Sequence, residues 1–483
     1  MVSSPQTQLR RITLQVSSND RVGKVEIAAD GEGLVSRAGT ALLAELSDRL
    51  GLTRALSELL GDTRERRGGH DPGHVLRDLA LTLSDGGDCV SDLGALRDQP
   101  DLFGRVASSA TAWRAIERAR GRLDDLRAAR AKARERAWTA GAAPAEIVLD
   151  FDSHLITAHS DKEGATPTWK RGFGFHPLLC YLDATGEALA GVLREGRAGA
   201  NTAEDHVEVL ALALEQIPQE HLDRPMLARS DSAGFTHDFA AALSETGIRF
   251  SLGFAITEAV RAAILGTEES AWQAAIAQDG CAREGAAVCE LTDSVELSPD
   301  WPKGTRLICR RERPHPGAQL SFTDHDGHRF QCLITDQAGT DLAALEARHR
   351  AHARVEDRIR EGRACGLANL PFREFGPNAV WLELALCSQD LLAHARALVL
   401  TGELARAEPK RLRHRLLHVA GRITRSGRRV TLHLPRRWPW VEALVAAFVS
   451  QAGFDGDLDP RFRPGERRPS PDVYAEEVPR GVA

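Results

Sequence analysis

The order of elements between Glu146 and Ala255 constrains this chain more than anything else in it. "EIVLDFDSHLITAHS", from Glu146, reads as a strand. "HPLLCYLDATGEALAGVLRE" sets two apolar runs around Asp183-Ala-Thr-Gly186, a hairpin signal. "NTAEDHVEVLALALEQI" is an amphipathic helix opened by Asn201, and "RPMLARSDSAGF" is a short buried strand ending at Asp231. "THDFAAALSETG" is a helix closed by Gly247, and "IRFSLGFA" is a last strand. An antiparallel hairpin followed by alternating units predicts a mixed sheet with helices on both faces.

The flanks differ in texture. Residues 1–140 read as mainly helical: "GTALLAELSDRLGLTRALSELLG" and "GHVLRDLALTLSDGG" repeat apolar residues at helical spacing, and "SSATAWRAIERARGRL" opens with capping hydroxyls. Residues 141–256 form the first part of the sheet core. Residues 257–339, with pieces such as "AAVCELTDSVEL" and "GTRLICRRERP", read as an all-β insertion. Helical texture returns over 340–400, in "TDLAALEARHRAHARVEDRIREGRACG" and "NAVWLELALCSQDLLAHARAL". A basic region at 401–455 and a Pro-rich polar tail at 456–483, predicted disordered, complete the chain.

Composition excludes several classes. No apolar run approaches the roughly 18 residues of a membrane span, and the opening residues lack the apolar core of a secretory signal. The eight cysteines are scattered without zinc spacing, and His154, His159 and His176 form no spaced set with them. "GFGF" lacks a nucleotide-binding spacing, so no nucleotide cofactor is expected. A cytoplasmic, nucleoid-associated protein with reduced thiols is the expectation. The net charge of −6 does not advertise nucleic acid, but its distribution does. Arg406 to Arg437 holds eleven Lys or Arg against one acid, Glu408, and Arg114 to Arg136 holds nine against four. Such clusters are the electrostatic footprint of a phosphate-backbone partner, although the earlier one equally suits a helix face laced with ion pairs.

Two carboxylates, Asp150 and Asp152, stand inside the apolar "VLDFDSHL". Asp is depleted in strands, and residues two apart share a face. Either that face is solvent or something cationic sits on it. Asp231 ends the fourth strand, and Glu356 lies in the helix after the β-rich stretch. Taken singly, each reads as a turn, cap or surface residue.

Several longer motifs alter that balance: "LDFDSHLITAHSDKEGATPTWKRGFGFHPLLCYLDATGEALAG", "RSDSAGFTHDF", "RRERPHPGAQL", "RVEDRIREGRACGLANLPF" and "EPKRLRHRLLHVAGRI". Over about residues 30 to 450 the chain resembles the bacterial insertion-sequence DDE transposases of the IS-thirteen-eighty family. The resemblance implies a ribonuclease-H-like fold in which the first and fourth strands are neighbours. Asp152, Asp231 and Glu356 would then converge as catalytic residues holding two Mg²⁺, with Mn²⁺ substituting, for cleavage and joining of DNA strands. It points to Asp152 rather than Asp150, although His154 fills the motif's Ser/Thr position. Asp150 is left as a supporting acceptor or a solvent-facing charge. Around Glu356, His349 stands where related enzymes have Tyr, His352 where they have Arg, and Arg363 where they have Lys.

Arg363 is therefore assigned to phosphate, with Arg350 and Arg354 as possible substitutes for the missing Arg. Lys170 and Arg171 in a Gly-containing loop, and Lys410, Arg411 and Arg413 in the basic region, are further DNA contacts. Trp272, Trp301, Trp438 and Trp440 are read first as packing residues and second as base-stacking ones. The implied partners are double-stranded DNA, as terminal inverted repeats and target, and a second copy in a synaptic dimer. A DNA-binding protein without catalysis, or a nuclease that does not join, would share most of these features.

Overall fold

The computed structural model describes residues 12–14, 25–27, 29–64, 66, 68–314 and 324–452. The tail at 456–483 and most of the "RRERPHPGAQL" motif lie outside the described residues. The described residues between Thr40 and Ala137 are mainly helical. Thr40–Arg49 and Leu52–Leu60 are separate helices, because Gly51 takes φ 72° between them, where an uninterrupted helix fits the apolar spacing. After them come α1 (Pro72–Ser84), α2 (Ser109–Ala119) and α3 (Leu123–Ala137). Asp71 and Ser108 cap α1 and α2 by accepting backbone N–H bonds.

The core follows as β1 (Ile147–Ser153), β2 (Leu178–Leu182), β3 (Ala188–Val192), α4 (Ala203–Glu215), β4 (Met226–Ser230), α5 (His237–Glu245) and β5 (Arg249–Phe254). β1, β4 and β5 run parallel, and the β2–β3 hairpin adds antiparallel to β1. The first and fourth strands are thus neighbours, with Ser230 opposite Phe151.

The stretch after β5 departs from an all-β insertion. It begins with a helix, α6 (Glu258–Gly266), capped by Thr257 and anchored by Val260 and Ile264. Its strands β6 (Gln273–Ile276), β7 (Ala282–Glu290), β8 (Arg306–Glu312) and β9 (Arg329–Thr335) do not form a body of their own. β9 pairs antiparallel with β5, Ile334 opposite Leu252. One sheet of nine strands results among the described residues, in the order β6-β7-β8-β9-β5-β4-β1-β2-β3. The unpaired edge of β5 is satisfied by recruiting β9.

Next come α7 (Leu342–Arg350) and α8 (Arg354–Gly362), joined by the tight turn Ala351–Ala353, and then α9 (Phe375–Leu398). The helices before β1 share one apolar core with the sheet and α9, from Leu42 through Phe151 and Trp381 to Ala447.

Much of the earlier basic stretch faces that interior. Arg130 donates to Glu383 (2.7 Å) and Asp390 (3.1 Å), and Arg134 donates to Glu187 (2.9 Å) and Asp390 (2.7 Å). Both guanidinium groups are buried between α3, the start of β3 and α9. His394 donates to Glu187 as well, at 3.0 Å. Burial alone pushes the Glu187 carboxyl up, but the His394 bond and the Arg134 charge outweigh it and hold it at about 2. Arg127, which binds Glu383 at 2.8 Å, Arg130 and Arg134 therefore belong to an interior ion network rather than a DNA footprint.

Candidate active site

β1 carries its two aspartates into different surroundings. Asp150 is 1% exposed. Arg229, next to it on β4, donates from Nε to Oδ1 and from Nη2 to Oδ2, both at 2.7 Å. His352 donates from Nδ1 to Asp150 Oδ1 at 3.0 Å. This carboxylate holds β1, β4 and the α7–α8 turn together, and its acceptor positions are taken.

Asp152, one pleat on, is half-buried and accepts only from the Ser153 N–H, at 2.7 Å. Burial is the main force on its carboxyl, which rises to about 6; nearby Asp231 and Glu356 push the same way, while His352 and the Ser153 N–H oppose them.

Asp231 leaves the end of β4 at the same edge, exposed, with Oδ1 accepting from Ala233 N–H at 2.8 Å. Gly253 on β5 makes room for this turn: a Cβ there would lie 2.8 Å from Ser232 N and 2.9 Å from Asp231 C. Glu356 is exposed in the first turn of α8, whose Val355 and Ile359 face the core. The β2–β3 turn fixes that helix: Asp183 binds Arg354 (2.5 Å) and Arg229 (3.0 Å), and its carbonyl accepts from Arg358 (3.1 Å).

Among the described residues no Lys or Arg pairs with Asp152, Asp231 or Glu356. Three carboxylates that repel one another, with one carboxyl raised, form a donor set suited to hard divalent cations. Their oxygens do not all lie within 4.8 Å of one another. The one group that does so, among the described residues, is Asp88, Cys89 and Asp92, where Asp92 caps a turn by accepting from the Asp88 and Cys89 N–H groups. The Asp152 trio is thus too open to close around a single ion.

The remaining candidates divide. Arg363 is exposed where α8 ends, and its charge, after burial, helps lower the His154 imidazole to about 4, as do His176 and Lys170. Arg363 and Lys170 thus act by charge on His154, the residue that follows the strand carrying Asp152. Lys170 and Arg171 are exposed beside Trp169, which is 74% exposed with the Lys170 ammonium 4.8 Å from its ring centre. Lys410 and Arg411 are exposed as well.

Three expected DNA contacts bond groups of the protein itself, Arg354 at the surface. Arg350 binds Glu346 (3.1 Å) and the Ile276 carbonyl, and Arg354 binds Asp183. Arg413 turns inward and donates to the carbonyls of Ser84 (2.8 Å), Leu83 (3.2 Å) and Ala364 (2.6 Å). It ties the end of α1 to the end of α8, where helix carbonyls lack partners. His349 is half-buried, its imidazole lowered to about 3 chiefly by loss of hydration, and it bonds Ser251 at 3.0 Å. His352 is 8% exposed and committed to Asp150, so it does not reach outward as an Arg would. Trp301 packs on Phe235 and His237, Trp272 lies under Arg311, and Trp438 and Trp440 pack with His414. The sequence reading missed Arg229 and Asp183. The signal available for Asp183 was its place opening the hairpin turn; Arg229 carries a charge within an apolar strand.

Residues 17–452 match the family described as transposase DDE domain group 1, and the chain belongs to that family. It is a DDE transposase, of a kind that works with divalent metal ions. Among solved structures it is similar to a piggyBac transposase synaptic complex with hairpin DNA, at 10% identity and a TM-score of 0.42, over 78% of this chain and 80% of that one. A search of curated proteins finds no match. Among the described residues no helix is long and apolar enough to cross a membrane.

Proposed function

We propose that this chain is the cut-and-paste transposase of an insertion sequence of the IS-thirteen-eighty kind, built on a ribonuclease-H-like core. The observation that carries the reading is that the Asp152 carboxyl, at the end of β1, feels the charges of Asp231 and Glu356, and that among the described residues none of the three has a Lys or Arg partner. Asp152, whose carboxyl feels the charges of both Asp231 and Glu356, would with them hold a pair of Mg²⁺ or Mn²⁺ ions. Bound there, such a pair activates an attacking oxygen and neutralises charge on the leaving one. Asp150, Arg229 and His352 hold β1 in place beneath the site. Arg363 grips a phosphate, and Lys170 and Arg171 track the strand that leaves it. Terminal inverted repeats bind the N-terminal helices with help from Lys410 and Arg411, and a dimer holds two ends in synapsis before the freed 3′-hydroxyl attacks target DNA.

An excision assay tests this reading. Purified protein is incubated with a plasmid carrying the gene and its flanks, with Mg²⁺, Mn²⁺ or EDTA, beside Asp231→Ala. Metal-dependent release of a discrete fragment, absent in the variant, is the expected result. Flank binding without cleavage in either metal would refute it in favour of a protein that only binds DNA. Cleavage without joined product would leave a nuclease.

A further inference from the structure

The basic C-terminal region contains a β-hairpin that the active site does not use. β10 (Gly421–Ser426) and β11 (Arg429–His433) pair antiparallel. Gly427, at φ 56°, supplies the positive φ that their two-residue turn takes at its first central position. Residues directly opposite each other share a face of the ribbon. One face, with Ile423 opposite Leu432, closes on Val35 and Ala38. Arg425, on the same side, pairs with Asp101 at 2.5 Å. The other face sets Arg422, Thr424 and Ser426 opposite His433, Thr431 and Arg429; all are exposed except the half-buried Thr431. Leu34, 67% exposed on the short strand Leu34–Val35, stands opposite Arg422 and extends this face. Thr424 Oγ1 and His433 Nε2 bond each other at 2.8 Å. Among the described residues neither Arg422 nor Arg429 has an acidic partner, so their guanidinium groups are the unengaged donors of the face.

A two-stranded ribbon is of a width that the roughly 12 Å major groove of duplex DNA admits. Side chains of the kinds on this face have partners on base edges: a guanidinium fork matches guanine O6 and N7, a hydroxyl suits several edges, and an apolar side chain meets the thymine methyl. Arg428 at the turn, and Arg436 and Arg437 just past β11, are exposed and supply charge for the flanking phosphates. We propose that the outer face of this hairpin enters the major groove at the end of the element and reads base edges there through Arg422 and Arg429, so that part of the sequence recognition sits on a β-ribbon. The proposal rests on the DNA-acting reading above.

Fluorescence anisotropy of the full chain in EDTA, across a salt series, compares wild type with Arg422→Ala and Arg429→Ala on an element-end duplex and a random duplex of equal length. Arg422→Gln and Arg429→Gln cover the case in which alanine loosens the hairpin, and the thermal midpoint without DNA identifies the folded variants. Each substitution should weaken element-end binding ~10-fold and random-duplex binding ~2-fold or less, with the salt slope on the random duplex unchanged. Equal loss on both duplexes, with a slope lower by about one, would overturn the proposal: the face would then be a phosphate clamp. Wild-type affinity for both duplexes in folded variants would overturn it as well. A wild-type chain that binds both duplexes equally would overturn it while leaving the DNA-acting reading in place. One that binds neither would overturn that reading, and this proposal with it.

Discussion

Asp150→Asn and Asp152→Asn, two residues apart on one strand, should fail in opposite ways. Asp150 receives two 2.7 Å bonds from Arg229 and a third from His352 while 1% exposed. An amide there turns N–H toward N–H and leaves the guanidinium buried with Asp183 as its remaining acid, at 3.0 Å. Breaking a buried pair costs about 3–5 kcal/mol, and the surviving partner puts the expectation near ~3 kcal/mol. Asp152 has the reverse sign. Its carboxyl rises from the ordinary value of 3.8 to about 6, so the folded state holds the proton more tightly than the unfolded chain does. Stability of the metal-free protein therefore falls as pH climbs from about 4 to about 6, and the loss is complete above that. Asp152→Asn removes this cost, worth at most ~3 kcal/mol and less after screening by water. Urea unfolding at pH 7.5 in EDTA reads both: the midpoint should drop for Asp150→Asn and hold or rise for Asp152→Asn. Strand cleavage should vanish in Asp152→Asn and persist in the folded fraction of Asp150→Asn. An Asp150→Asn protein of wild-type stability that cannot cleave, beside an Asp152→Asn protein that can, would interchange the two roles and refute the reasoning.

Arg413→Ala removes the donor to three helix-end carbonyls and should lower stability by about 2–4 kcal/mol in a urea titration, with DNA affinity per folded molecule unchanged. Lys410→Ala/Arg411→Ala should do the opposite, weakening DNA binding in an anisotropy titration without moving the unfolding midpoint. Glu187, held at about 2 against an ordinary 4.5, contributes stability above about pH 4.5 that is lost as pH falls toward 2; Glu187→Gln should flatten that part of the acid-unfolding curve. Gly253→Ala forces a Cβ against the Asp231 turn and should cost about 1–3 kcal/mol, with a larger proportional loss of cleavage than of folded protein.

The strand order of the core was legible because most elements announced their own period and stop: the Asp183–Gly186 turn and the Gly247 closure sit at boundaries of observed elements, whereas the helix expected to open at Asn201 starts at Ala203, after Thr202. What could not be read depended on partners far along the chain. Period two puts Asp150 and Asp152 on one face, and only Arg229, 79 residues away, separates a supporting carboxylate from an open one. Arg130 and Arg134 looked solvent-facing because their segment is charged and Ala-rich. Their acids, Glu383 and Asp390, stood in plain view within the apolar run of α9, where a carboxylate needs a partner. Nothing in β9 itself states that it closes onto β5, since its pattern suits any antiparallel neighbour. Arg413, inside the densest basic run, shows that local charge density does not say which way a guanidinium points.

The pairing of β9 with β5 has a mechanical consequence. Load applied at the far β6 edge passes to β1 through hydrogen-bonded ladders, with no slack linker between. The region after β5 thus behaves as a stiff cantilever on β5, the neighbour of the strand that leads to Asp231, not as an arm that swings. Its inner strands should exchange amide hydrogens together with β4 and β1, as one cooperative unit.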